Sequence, residues 1–553
     1  MTPSTLGLQV QEERGPLDTI ARLGTARTAF VGRTLRGPVN RPTLLRNFAE
    51  FQHTFGGLWQ PSPLGYAVEH FFDNGGREAL VVRVVNGARA ATLTLNSGND
   101  RLTLQAVSPG TREFLRASVD YDNTPAADGA RFNLTVQRVR LQGGSHVEDQ
   151  EIFPSLSMAP GDDRYVAVIL AQSELIRLVG DLPVRRPDCT LDAAGGRAAA
   201  YVSSNADGDD GAPLTDYDLI GSEIGRTGLF ALQNVDHFNF LCIPPLSRDQ
   251  DVGPSALLVG ARYCKERRAL LIIDPPSGWH TADDALRALR DWDFSTENAL
   301  MYFPRIFAHD KLRGHFESFA PCGAIAGMLA RTDETSPVWG AAKLEEAVLR
   351  PGYRPTCLVA EDRRVRLLQR GVNTLQAVRS VARIGVKPRT LAAGAAGAQE
   401  WQSLAARRLA LFIVNSIERG TRWVIAAEPS ADVANVVAAQ VRNFFVQLYE
   451  AGAFGARRME EAFFVICDRR INAPDTPVAA DGTDALDGKH PRGFQLLIGF
   501  AATRRMEFHS FRISYAASGS LVRPVSLNRL NLADYCPEEL EWVDRLASQL
   551  EPP

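Results

Sequence analysis

Three stretches of the chain carry residue types and spacings that could do chemistry. Asn74-Gly75-Gly76 is a glycine-rich joint of the kind that cradles phosphate. A phosphate loop follows a strand and opens a helix, so that the helix N-terminal N–H groups face the anion. Here an apolar helical pattern precedes the glycines and the β-branched run "EALVVRVV" follows them, so the joint reads as a helix cap. "GTDALDGKH" at 482–490 has the look of a nucleotide loop, but five residues separate Gly482 from Gly488 where four are needed. His490 also stands where a Ser or Thr must hold magnesium. "NADGDDG" at 205–211 resembles a calcium loop. Counted from Asn205, it puts Asp210 where a Gly is required and Asp216 where a bidentate Glu is required, so it reads as a solvated acidic turn.

The remaining reactive residues form no constellation. The nine histidines show no H-E-x-x-H or H-x-H spacing, and His309 and His315 bracket a charged loop. No G-x-S-x-G nucleophile elbow occurs. The seven cysteines are scattered, with no C-x-x-C pair, and read as reduced thiols. No catalytic, metal or cofactor-binding residue is expected, and no cofactor. The net charge of -3 carries no sign of the basic face that nucleic acid needs. The first residues, "MTPSTLGLQVQEERG", lack the basic and apolar regions of a secretory signal, and no run of about 18 apolar residues exists. No direct membrane insertion is expected.

These residues must be positioned by several domains, since 553 residues exceed one ordinary core. Leu6, Leu8 and Val10 alternate at the start and predict a strand. A strand near 26–32, two short helices and the strand "EALVVRVV" follow. From 87 to about 195, short alternating segments such as "ATLTLNSGNDRLTLQAV" predict an inserted β-sandwich or barrel. A phase slip in "RFNLTVQRVRL" predicts a bulge, and a short helix is expected to begin near Asp162. From about 200 the chain alternates apolar strands ("NFLCIPP", "ALLIIDPP", "NALMYFPRI") with helices, the pattern of a mostly parallel covered sheet. Trp401, Ala405, Leu409, Phe412 and Ile413 mark an amphipathic helix. Val433, Val436, Val437, Val441, Phe444 and Leu448 mark a second, with "RWVIAAEP" between them read as a strand. "AFFVICD", "FQLLIGFAA" and "EFHSFRISY" are three further strands, and 470–493 is a Pro/Asp/Gly-rich loop.

Several blocks, in order along the chain, resemble the contractile tail sheath family of phages and extracellular contractile injection systems. They are "TARTAFVGRTLRGPVNRPTLLRNFAEFQHTFGG", "YAVEHFFDNGGREALVVRVV", "PCGAIAGMLARTDETSPVW", "FIVNSIERGTRWVIAAEPS" and "FFVQLYEAGAFGARRMEEAFFVICD". The resemblance implies four regions: an N-terminal arm with the first part of the core (1–86), an inserted β-rich domain (87–195), a central α/β domain (196–400) and a C-terminal α+β domain with an arm and an extension (401–553). It implies a central sheet of subtilisin-like topology without catalytic residues.

The function implied is that of a structural subunit, not an enzyme. Such subunits stack as hexameric rings around an inner tube protein and contract to drive the tube through a target envelope. Partners would be the subunit itself, the tube, and baseplate and tail terminator proteins. Assembly would occur in the bacterial cytoplasm, and the product would be a phage tail or a released particle. In the family, terminal arms add strands to neighbouring subunits. An isolated strand is unstable alone and gains backbone hydrogen bonds by joining a sheet edge. The candidate arm residues are Leu6, Leu8 and Val10 at one end and Phe508, Phe511 and Ile513 at the other, with 520–530 as an alternative to 507–515. Apart from the resemblance, the β/α pattern also fits a cytosolic hydrolase-like α/β enzyme with a β-sandwich appendage.

Overall fold

The structure is a computed structural model. It describes residues 19–112, 114–124, 129–140, 146–190, 200–204, 207–340, 347–378, 381–384, 388–394, 401–427, 430–467, 472, 494–502, 508–516 and 519–525. The chain divides into two compact units: Ala26–Ser336 with Ala342–Gln402, and Met1–Thr25 with Pro337–Ala341 and Ser403–Pro553.

The larger unit opens on β1 (Thr28–Gly32), whose five residues are all buried. β2 (Thr43–Leu45) follows, and then α1 (Phe48–Phe55), which starts where the Asn47 side chain accepts from the Glu50 N–H and stops at left-handed Gly56. α2 (Pro63–Asp73) has its proline in the first turn, where no N–H is missed, and β3 (Ala79–Arg83) is again wholly buried. The chain then leaves this layer for β4 (Thr92–Ser97), β5 (Asp100–Ala106), β6 (Leu115–Asp120), β7 (Arg131–Arg140), β8 (His146–Ser157), α3 (Val166–Leu170), β9 (Ile176–Val179) and β10 (Val202–Ser203). These strands make two antiparallel sheets, β4-β5-β9 and β10-β6-β7-β8. Alternate residues such as Leu93, Leu104, Val119, Phe132 and Leu134 fill the core between them. The expected bulge is present, with register shifts at Phe132/Leu134 and Arg138/Val139. The helix expected near Asp162 begins at Val166, because Asp162 instead closes a turn by accepting from the Arg164 N–H.

The β/α part holds α4 (Asp216–Ile220), β11 (Phe240–Cys242), α5 (Pro254–Glu266), β12 (Leu270–Ile273), α6 (Ala282–Ala288), β13 (Ala299–Phe303), β14 (Ile306–Asp310), β15 (His315–Phe319), α7 (Cys322–Thr335), β16 (Arg354–Pro355), α8 (Glu361–Gln369), β17 (Val372–Val378) and β18 (Val381–Ile384). An eight-stranded sheet runs β18-β17-β13-β12-β11-β1-β3-β2. Its six inner strands are parallel, and β2 and β18 close the edges antiparallel. Uniformly apolar strands such as "LLII" and "ALMYF" follow from helices covering both faces. "NALMYFPRI" is two strands rather than one. Pro304 separates β13 of the large sheet from β14, which pairs with β15 and β16 in a small antiparallel sheet.

The smaller unit is built on α9 (Leu404–Gly420) and α10 (Ala431–Glu450) and a four-stranded antiparallel sheet. That sheet holds β19 (Phe463–Ile466), β20 (Phe494–Phe500), β21 (His509–Ala516) and β22 (Gly519–Val525), paired in chain order. Two expectations are corrected here. Within "RWVIAAEP", Arg422–Ala426 is a 3-10 turn continuing the coil of α9 rather than a strand, and 428–429 lie outside the described residues. Thr421 Oγ1 donates back to the Ile417 carbonyl and Arg422 reaches back to Glu418, contacts that hold the chain helical despite its β-branched residues. The buried stripe of α10 is rotated from the one predicted. Ala434, Val437, Val441, Phe444, Phe445 and Leu448 face inward, while Val436 is exposed.

Candidate functional site

Asn74-Gly75-Gly76 is a helix cap and a packing joint. Asn74 Nδ2 donates to the His70 carbonyl and Asn74 Oδ1 accepts from the Arg350 N–H, so the side chain ties the end of α2 to a distant loop. Gly75 has φ +105, and a Cβ on Gly76 would strike the Phe71 ring at 2.3 Å. α2 in turn packs on α7 through glycines: a Cβ at Gly323 or Gly327 would lie 1.9 or 2.2 Å from the Ala67 or Phe71 carbonyl oxygen. "GTDALDGKH" at 482–490 lies outside the described residues. The acidic turn after Asn205 proves to be more than solvated surface. Asp210 accepts from the Thr111 N–H and hydroxyl, Asp209 pairs with Arg89, and the carbonyls of Asp210 and Gly211 accept from Arg33. It therefore seams the inserted β-rich segment to the end of β1. His309 and His315 are exposed on the β14–β15 hairpin, with His315 Nε2 2.9 Å from Glu317.

In a parallel α/β sheet, ligands settle outside the carboxyl ends of the strands. Two features occupy that edge here. Beside α2 and the chain leaving β11, Arg248 pairs with Asp310 and Glu317 and lies over the Tyr66 ring, while Tyr66 donates to Asp310. Burial and the neighbouring Asp310 push the Tyr66 hydroxyl up to about 12, so it stays a donor. At the ends of β11 and β12 opens a cavity of about 350 Å³ bounded by the segments around Ile243–Leu257, Asp274–Pro276 and Asp291–Phe294. Asp274 Oδ1 accepts from the Cys322 N–H and so caps α7, and Arg305 pairs with Asp251 beside it. Burial pushes the Asp274 carboxyl up to about 6. The nearby thiols of Cys242 and Cys322 are raised by burial, which disfavours a thiolate nucleophile. Among the described residues no group of three or more His, Cys, Asp or Glu is placed to hold a metal ion, and no helix is long and apolar enough to cross a membrane.

The arm candidates divide. Leu6, Leu8 and Val10 lie outside the described residues. Where the chain becomes described, Leu23 N–H meets Ser416 Oγ at 3.3 Å, and Ile20 packs so closely on α9 that a Cβ at Gly420 would touch it. Phe511 and Ile513 sit in β21, which has β20 on one side and β22 on the other, so their strand offers no free edge. Phe508 precedes that strand and packs its ring 5.5 Å from Phe464 of β19. Among the described residues, β19 and β22 are the outer strands of this sheet. β19 reads "FFVI", with neither charge nor proline to guard it. β8, the exposed edge of the inserted sheet, is guarded by Glu148, Asp149, Glu151 and Pro154.

No family model and no curated protein matches this sequence. Solved structures do. The fold is that of tail sheath proteins, a mixed α/β arrangement with one large mixed sheet and several smaller ones. The sheath tail protein of Listeria innocua is 12% identical, with TM-score 0.57 over 90% of this chain and 97% of that one. The sheath tail protein of Desulfitobacterium hafniense is 12% identical, with TM-score 0.51 over 94% and 100%. The sheath complex of an extracellular contractile injection system in its contracted state is 13% identical, with TM-score 0.49 over 92% and 96%.

Proposed function

We propose that this protein is a structural subunit of a contractile sheath, polymerising as stacked hexameric rings around an inner tube protein and contracting to drive that tube through a target envelope. The observation that carries the reading is the whole-chain match of fold to the Listeria sheath tail protein, which leaves neither chain with a large unmatched part. The ordered sheath-like blocks of the sequence support it independently. The role is structural rather than enzymatic, in keeping with the raised thiols at the carboxyl edge of the sheet. The six inner parallel strands support a subtilisin-like central topology. The four regions bounded at 86, 195 and 400 remain part of this reading.

Rings are joined by strand exchange. The segment holding Leu6, Leu8 and Val10 adds to the sheet of a neighbour, where backbone hydrogen bonds form nearly independently of side chains. At the other end, β22 is the exchanged element, and β21, which holds Phe511 and Ile513 and follows Phe508, is the strand that receives it. Contraction is then a switch between two packings of rigid subunits with the arms as hinges. Partners beyond the subunit and the tube are baseplate and tail terminator proteins, and assembly takes place in the bacterial cytoplasm.

Deleting residues 1–13 tests the exchange. Polymer should vanish while circular dichroism and melting still report a folded monomer; polymer that persists without these residues overturns it.

A further inference from the structure

The sequence holds two Asn-Gly pairs, Asn74-Gly75 and Asn86-Gly87, and the fold treats them in opposite ways. An asparagine before a glycine can convert itself. The next backbone nitrogen attacks the carboxamide carbon, and glycine, lacking a Cβ, leaves the approach open. At Asn74 this is blocked. The residue is fully buried, and its carboxamide is held at both ends by the His70 carbonyl and the Arg350 N–H. The attacking nitrogen is engaged as well, since the Gly75 N–H donates to the Phe72 carbonyl at 3.0 Å.

Asn86 has none of that protection in full. It is half-buried in the bend after β3, and Gly87 is exposed at φ +67, with nothing within 4 Å of where a Cβ would stand. Among the described residues the Gly87 N–H meets no acceptor. The carboxamide is held on one side, where Nδ2 donates to the Pro213 carbonyl at 3.0 Å. The place is structurally sensitive, because here the inserted segment leaves the core layer and returns to it. The Asn86 carbonyl accepts from the Ala212 N–H at 2.8 Å, and a Cβ on Gly211 would lie 2.2 Å from that same oxygen.

We propose that Asn86 is a self-modifying site that converts to aspartate and isoaspartate in the folded protein and so loosens the tie at the root of the inserted segment. The Gly87 nitrogen bonds to Asn86 Cγ and gives its proton to water, the Cγ–Nδ2 bond breaks, and ammonia leaves. Water then opens the cyclic imide at either carbonyl, so asparagine and water become acid and ammonia. Aspartate replaces the donor to the Pro213 carbonyl by an acceptor that repels it. Isoaspartate also routes the main chain through the side-chain carbons, lengthening it by a methylene beside Gly211.

The test uses the full-length protein, held folded in mildly alkaline buffer for days and mapped by mass spectrometry of tryptic peptides. The peptide with Asn86 should gain the mass of an amide-to-acid exchange and split into aspartyl and isoaspartyl forms. Its rate should exceed that at Asn74 by at least about tenfold, the factor given by about 1.4 kcal/mol of local opening needed to free the buried pair. In urea-unfolded protein the two rates should converge. Modified molecules, separated by their added negative charge, should exchange the Ala212 amide hydrogen faster than unmodified ones. Equal rates in the folded chain, faster conversion at Asn74, conversion at Asn86 only after unfolding, or unchanged exchange at Ala212 would overturn the proposal.

Discussion

Replacing Asp274 by Asn should raise the stability of the larger unit at neutral pH and do so much less in acid. Asp274 is held with its carboxyl raised from the usual 3.8 to about 6, chiefly because burial disfavours the charged form. A carboxyl raised in the folded state contributes stability that is complete below its unfolded pKa and is lost as pH climbs through the folded one. At pH 7.5 the native state carries the whole penalty, roughly 1.4 kcal/mol for each pKa unit and so about 3 kcal/mol. At pH 4.5 only the ionisation of the unfolded chain counts, and the penalty shrinks to about 1 kcal/mol. Asn keeps the acceptor for the Cys322 N–H. Its Nδ2 takes the place of an oxygen that already lacks a partner, so any constant cost of the amide drops out when two pH values are compared. The expected signal is therefore a difference of about 2 kcal/mol in the benefit of the substitution between pH 7.5 and 4.5. With about 370 residues in the unit and ~2.1 cal/mol/K per residue, that is a shift of roughly 2–3 °C in relative Tm. Scanning calorimetry of both proteins at the two pH values reads it. A benefit that does not change with pH, or one larger in acid, would refute the reasoning.

Three further outcomes are expected. Gly327→Ala should cost several kcal/mol, about 3 or more, because the added carbon would lie 2.2 Å from the Phe71 carbonyl and force α7 off α2; a melt within 1 °C of the parent would contradict that packing. Arg83 is buried with its guanidinium on the carbonyls of Gly37 and Pro109 and on Ser108 Oγ, so Arg83→Met should destabilise by about 3 kcal/mol as these acceptors lose their donor, measured by chemical denaturation. Leu521 is 50% exposed on β22, so Leu521→Lys should leave the monomer within about 0.5 kcal/mol of the parent yet weaken polymer formation, read by sedimentation.

Much of the fold was legible in the sequence. Uniform runs such as "TAFVG", "ALVVR" and "LLII" are buried on both faces, and the alternation in "TLTLNS" reports one buried face, so periodicity found the parallel layer and the inserted sheets. The order helix–glycine–strand at Asn74 was enough to reject a phosphate loop. Periodicity failed at Arg422–Ala426, where side chains favouring a strand are overruled by contacts back into α9. It also could not tell an internal strand from an edge: "FHSFRISY" looks like any arm, but its place between β20 and β22 is a fact of tertiary pairing. The carboxyl-end cavity was illegible for the same reason. Asp251 follows β11, Asp274 follows β12 and Trp292 follows α6, and no local spacing links them.

The sheath reading is tested most directly by negative-stain electron microscopy of the purified full-length protein, alone and with its tube protein. Rings, tubes or striated polymers of sixfold symmetry are the predicted result. A particle that stays monomeric at high concentration in both preparations would contradict it.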